Sequence, residues 1–265
     1  MLATIVAMFA LPARSETLPI DPVAQESPVW CWIAVTEMLM KHYDVPNANG
    51  GGDYQCGIVG TIAFGTRAQM CVSNCALCQV PAGSAQTLVE AIEAYPKRVR
   101  ALLGLNADDV SATHRARALT EDEVVEEIDD GNPMIAGISP SGGSPGVSQH
   151  VALIVGYDDD GATLIVNDPF PFDPSHNPYL AAGANELEPG QYEISRTTYK
   201  SALRWRETIL VKSSAPGEDT QSPPHFCCTA AGRLGPYPND GSTLSGGACF
   251  GTNAFGIAFQ GTACL

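Results

Sequence analysis

The chain is poor in positive charge: 14 Lys and Arg stand against 29 Asp and Glu among 265 residues, a formal net charge of -15. Neutralising phosphates takes clustered Lys and Arg, so nucleic acid and anionic membrane surfaces are excluded as main partners. Long apolar runs are also scarce. After the N-terminal segment no stretch reaches the roughly eighteen apolar residues of a membrane-crossing helix, so no span is expected in the mature chain. Charged residues make up only 16% against 45% hydrophobic, which excludes bulk disorder and provides for one substantial core plus a small appendage. The C-terminal tail repeats nothing found earlier in the chain.

What the sequence does have begins at its N-terminus. Leu2 to Pro12 is almost wholly apolar, and Ala13-Arg14-Ser15 puts small residues at the two positions a signal peptidase reads. Residues 1–15 are therefore expected to be an export signal, with an atypical n-region or a true start upstream of Met1, and Glu16 near the mature terminus. Residues 16–24 are then too few for an inhibitory propeptide before Gln25. Nine cysteines agree with an oxidising destination, extracellular or periplasmic. Eight can pair and one is left over, which in a secreted chain is an intermolecular or a reactive thiol.

Ser27-Pro28 reads as N-cap and first residue of a helix running from Val29 to Met40, apolar on nearly every face and so buried. Residues 46–83, rich in Gly, Asn and Cys (Cys56, Cys71, Cys75, Cys78), read as an irregular, disulfide-stapled excursion. A helical pattern resumes from Ser84 to Tyr95. Thr120 with Glu123 forms a capping-box pattern for a helix ending at Gly131. Pro133–Ile138, His150–Tyr157 and Ala162–Asn167 are strand-like runs, with Tyr192–Ile194 and Thr208–Lys212 as further candidates. Helices first and an antiparallel sheet later make an α+β fold. The expected organisation is a main domain over 16–212, a linker over 213–224 and a disulfide-rich module over 225–265, too poor in apolar mass to fold without its cysteines.

Cys31 falls in the first turn of the buried helix, where the helix dipole and free N–H groups stabilise a thiolate. His150 opens a strand, and Asp158-Asp159-Asp160-Gly161 is a turn signal that returns the chain to Asp168. The hairpin brings Asp168 level with His150 provided the loop is odd or Gly161 carries a bulge, since a slip of one residue would turn the carboxylate to the other face. Such a carboxylate can accept the imidazole N–H and stabilise the imidazolium formed when Cys31 gives up its proton. Gln25, six residues before Cys31, can aim an amide over the helix start as an oxyanion donor, with the Cys31 backbone N–H as the second.

Gln25, then Trp30-Cys31-Trp32-Ile33-Ala34, much later Gln149-His150-Val-Ala-Leu-Ile-Val-Gly-Tyr157 and Val166-Asn167-Asp168-Pro169, resembles the papain-like cysteine peptidases, in particular the bacterial branch related to bacteriocin-processing and AvrRpt2-like peptidases. The resemblance covers about residues 20–212. It implies that Cys31 is nucleophile, His150 general base and acid, Asp168 orienter and Gln25 oxyanion donor, acting on a protein or peptide substrate with no cofactor and no metal. An Asp before Pro is the third residue in that branch; papain uses an Asn, which keeps Asn167 as the alternative. Transporter domains of the kind that accompany bacteriocin-leader peptidases are missing, so cleavage after a double-Gly leader is not expected.

Other readings use the same residues. Cys56, Cys71, Cys75 and Cys78 could hold zinc, and Cys75-Ala-Leu-Cys78 could be a redox pair, but export favours disulfides and no thioredoxin-like context surrounds them. Two disulfides are expected within 56–78, and two within 227–264, where Cys227 and Cys228 go separately to Cys249 and Cys264. His42, His114, His176 and His225 read as surface residues. A non-catalytic secreted binding or adhesion protein, or an amidase or acyl transferase with the same triad, would share the fold.

Overall fold

The computed structural model describes residues 13–49, 52–62, 74–104, 108–140, 149–214, 225–229, 232–237, 248–252 and 258–264; for Leu102 and from 225 onward only the backbone is described. The apolar part of the expected export signal, Cys71, and the linker beyond 214 lie outside these residues.

One eight-stranded antiparallel sheet organises the chain up to 214. Its strands are β1 (Glu16–Thr17), β2 (Asp109–Arg115), β3 (Met134–Ile138), β4 (His150–Asp158), β5 (Thr163–Asn167), β6 (Asn185–Glu188), β7 (Gln191–Ser195) and β8 (Glu207–Ser214). Their order is β2-β8-β3-β4-β5-β7-β6, with β1 paired to β4. The helices are α1 (Cys31–His42), α2 (Tyr54–Ile62), α3 (Ala85–Leu103), α4 (Glu121–Asp129), α5 (Pro178–Ala181) and α6 (Arg196–Ala202). The central strands are apolar without alternation because both faces are covered: every residue of β3 is buried, and β4 from Ala152 to Tyr157. Helix α1 is buried continuously from Trp32 to Met40, so it runs through the core rather than along its surface. The fold is α+β, as the order of helical and strand-like patterns implies.

Several boundaries differ from the sequence reading. Helix α1 starts at Cys31, not after Ser27, because Ser27 to Trp30 close a turn instead, the Trp30 N–H donating to the Ser27 carbonyl at 3.0 Å. The excursion over 46–83 contains a regular helix, α2, whose start is capped by Asp53 Oδ1 accepting from the Cys56 N–H at 2.9 Å. Helix α3 runs through Pro96 to Leu103, where Gly104 closes it in the left-handed region at φ 63°. Proline removes one backbone donor and disfavours the preceding turn, but Tyr95 and Val99 on either side are fully buried, and that packing holds the helix together. Strand β2, unannounced in the sequence, pairs with β8 over its full length.

The β4–β5 hairpin sets the register of the site. Asp158 faces Thr163, Tyr157 faces Leu164 and Gly156 faces Ile165; Val155 is then an extra residue, and Ile154 faces Val166 and Leu153 faces Asn167. The bulge is therefore at Val155, not Gly161. Without it Asp168 would fall opposite Leu153 and point away from His150; with it Asp168 falls opposite Ala152, on His150's side of the sheet. Strand β1 seals the irregularity: the Val155 carbonyl accepts from the Leu18 N–H at 2.8 Å, and Thr17 lies beside Gly156. A Cβ on Gly156 would sit 2.7 Å from the Glu16 carbonyl oxygen, so glycine is what lets β1 approach.

Beyond residue 224, β9 (His225–Thr229), β10 (Gly232–Tyr237), β11 (Ala248–Thr252) and β12 (Ala258–Cys264) form a separate antiparallel sheet in the order β10-β9-β12-β11. Cys227 and Cys228 lie on β9, Cys249 on β11 and Cys264 on β12; their side-chain pairing lies outside the described residues.

Candidate active site

As first residue of α1, Cys31 has one of the free N–H groups of a helix start. It is half-buried and a free thiol. The tryptophans on either side hold it in place by reaching one loop: Trp30 Nε1 donates to the Cys78 carbonyl at 2.8 Å and Trp32 Nε1 to the Val80 carbonyl at 3.0 Å. That loop is itself stapled. Cys56 on α2 is bonded to Cys75, and Cys78 is disulfide-bonded as well. Cys75 is thus paired with Cys56 and not with Cys78, which removes the redox-pair reading, and thiols in disulfides are not zinc ligands.

His150, at the start of β4, gives its Nε2 to Asp168 Oδ1 at 2.7 Å, which leaves Nδ1 as the ring atom for Cys31. Burial opposes a charged imidazole here. The Asp168 carboxylate, by charge and by hydrogen bond, and Cys31 behind it overcome that and push the His150 pKa up from 6.5 to about 10. Asp168 is itself fixed by three donors: Oδ1 also accepts from the Phe170 N–H at 2.8 Å, and Oδ2 from the Tyr179 hydroxyl at 2.8 Å. Tyr179 is held well above the usual tyrosine range by burial first and the Asp168 charge second, so it stays a donor.

Nothing in the sequence pattern singled out Tyr179. Its placement follows from Asn177-Pro178, which start α5: Asn177 Oδ1 accepts from the Tyr179 N–H at 2.9 Å, and the Tyr179 ring stacks on Tyr192 at 4.2 Å. Asn167, by contrast, faces away from His150. Its Nδ2 donates to the Ile20 carbonyl at 2.7 Å and its Oδ1 accepts from Gln191 at 2.8 Å, so it ties the N-terminal segment to the sheet.

Gln25 is buried next to this cluster, its backbone N–H bonded to the Pro169 carbonyl at 2.8 Å. Its Nε2 donates to the Ser27 carbonyl at 2.7 Å, and its Oε1 is buried without a hydrogen-bond partner among the described residues. It does not line the cleft in which Cys31 and His150 meet. Its neighbour Glu26 is raised to about 7 by a hydrogen bond with Asp53, by burial and by the Asp53 charge, so Glu26 keeps its proton towards neutrality. Glu26, Asp53 and Cys56 bring ligand-type atoms within 4.8 Å of one another, but the Cys56 sulfur is spent in its disulfide.

The cleft has a volume of about 840 Å³ and is lined by Cys31, Trp32, His150, the 81–86 segment, Phe170, Phe172 and the β2, β3 and β8 face of the sheet. His150 meets Phe170 and Phe172 edge-on at 6.1 and 6.3 Å. His114, read from sequence as a surface residue, is in this wall and bonds Glu207 Oε2 through Nε2 at 2.9 Å; an unforeseen β2 brings it there. His42 bonds the Gly131 carbonyl at 3.0 Å, and His176 is exposed beside Asp173. The His225 side chain lies outside the described residues.

An α+β scaffold with a half-buried free cysteine at a helix start and a carboxylate-held histidine across a cleft is that of a cysteine peptidase. Residues 17–199 match the Peptidase_C39 like family, and the chain belongs to it. No curated protein matches. Among solved structures, a double glycine motif protease from an AMS/PCAT transporter, in complex with the leader peptide, is 10% identical, with a TM-score of 0.40 over 77% of this chain and 98% of that one.

Proposed function

We propose that the protein is an exported peptidase that hydrolyses peptide bonds through a thioacyl intermediate, with Cys31 as nucleophile, His150 as base and acid and Asp168 as orienter. The supporting observation is the 2.7 Å contact from His150 Nε2 to a fully buried carboxylate, with Cys31 on the ring's other side. With the proton of the Cys31 thiol already held on His150 as imidazolium, the sulfur attacks the scissile carbonyl. His150 then protonates the leaving amine as the carbon–nitrogen bond breaks. Water, losing its proton to His150, cleaves the thioester and restores the thiol. The Cys31 N–H serves the oxyanion; Gln25 Nε2, bonded to the Ser27 carbonyl and set back from the cleft, adds its second hydrogen once the amide turns towards a bound substrate. Within this proposal residues 1–15 are the signal, 16–212 the catalytic domain, 213–224 a linker and 225–265 an appended module.

The test is a peptide-library digest read by mass spectrometry for wild type and Cys31→Ala. Cleavage lost in Cys31→Ala is expected; identical digests would end the proposal. Iodoacetamide at about pH 6 without reductant should label Cys31 selectively, and much more slowly in His150→Ala. Equal labelling of the two would make Cys31 an unpaired structural thiol.

A further inference from the structure

Among the described residues the cleft wall is apolar apart from a few groups, and it contains one carboxylate, Glu207, and no Lys or Arg. Glu207 opens β8 and is rigidly placed. Its carbonyl accepts from Trp205 Nε1 at 3.0 Å, its backbone pairs with Gly137 of β3, and the next residue, Thr208, is fully buried and donates to the Arg117 carbonyl at 2.9 Å. His114 fixes one carboxylate oxygen by donating its ring N–H to it. The other oxygen makes no hydrogen bond among the described residues, and the side chain keeps 23% of its exposure. As a mere strut between β2 and β8 this pair would be superfluous, since the two strands already pair from Asp109–Ser214 to Arg115–Thr208. A carboxylate held half out of water against an apolar wall costs solvation unless a cation meets it.

We propose that Glu207, oriented by His114, is the subsite that recognises a Lys or Arg side chain of the peptide; this rests on the peptidase reading of the same cleft. Strand β8 lies two strands from β4, roughly 10 Å at sheet spacing, and an extended peptide advances about 3.3 Å per residue. The recognised side chain therefore sits roughly two to four residues from the bond cut, not next to it. The protein's overall charge of -15 steers the same class of peptide towards the cleft.

Two measurements separate this from the peptidase reading. In the library digest, wild type should cut peptides enriched in Lys or Arg at one position two to four residues from the cut, and Glu207→Gln should still cut but lose about tenfold of that preference, mainly through KM. His114→Gln, which keeps the charge, should retain most of it. Separately, Cys31→Ala should bind an apolar extended peptide carrying one Lys about tenfold more tightly than the same peptide with Gln, and Cys31→Ala/Glu207→Gln should bind both alike. No basic preference, a preference only at the residues flanking the cut, or a preference untouched by Glu207→Gln would overturn the subsite. Hydrolysis without basic preference would leave the peptidase standing and remove the subsite; Lys-selective binding without hydrolysis would do the reverse.

Discussion

Replacing Asp168 by Asn keeps the shape of a side chain that is entirely shielded from water but removes the charge that holds His150 protonated. Turnover should fall by about a thousandfold or more, because the imidazole loses both its orientation and the partner of its cationic form. The same change has a pH signature. With His150 raised from 6.5 to about 10, the folded chain keeps a proton that the unfolded chain releases between those values, so the stabilisation is complete below 6.5 and is lost as pH rises through about 10. Melting temperatures between pH 7 and pH 10 should therefore decline more steeply for wild type than for Asp168→Asn, and parallel curves would contradict the coupling. Tyr179→Phe leaves Asp168 Oδ2 without its donor and should cost about 1–3 kcal/mol of stability with a smaller loss of activity, readable by denaturant titration. Cys31, His150 and Asp168 were legible in the sequence because helix start, strand start and hairpin each have local signals. Tyr179 and Glu207 were not, because each matters only through a partner that tertiary structure brings to it.

At the scale of elements, the hairpin shows what local pattern can and cannot specify. Its turn is plain in Asp158 to Gly161, and the left-handed φ values of Asp159, Asp160 and Gly161 fit those residue types. The bulge at Val155 is silent in the sequence, since it depends on β1, a two-residue strand more than a hundred positions away. Gly156→Ala should force β1 off, destabilising the chain by about 1–3 kcal/mol, and should reduce kcat as the His150–Asp168 register loosens; an unchanged melting temperature and kcat would mean the bulge stands without β1. Helix α2 escaped detection for a related reason: with Gly57 and Gly60 inside it, it has little intrinsic propensity and is held by Asp53 and by the Cys56–Cys75 bond. Since α2 and its disulfide brace the loop that Trp30 and Trp32 grip, Cys56→Ser with Cys75→Ser should lower stability by about 2–4 kcal/mol. Activity should fall with it, and dithiothreitol should slowly inactivate the wild-type enzyme instead of activating it.

For the whole molecule, the described residues lining the cleft all fall between Pro28 and Ile209. A fragment ending at residue 214 should hydrolyse short peptides with the wild-type kcat/KM, while any loss restricted to large protein substrates would assign the appended sheet to substrate capture. The α+β class and the core strands could be read from periodicity, whereas the long-range pairs, β1 on β4 and β2 on β8, had no signature in short, polar segments. The stapled loop also bears on when such an enzyme can act. Until the sulfurs of 56, 75 and 78 are joined to their partners, the loop is unbraced and the tryptophan grip on Cys31 has nothing firm to hold. Closing the neighbours of the nucleophile is thus a step in assembling the site, and oxidation comes before full activity in the order of its making.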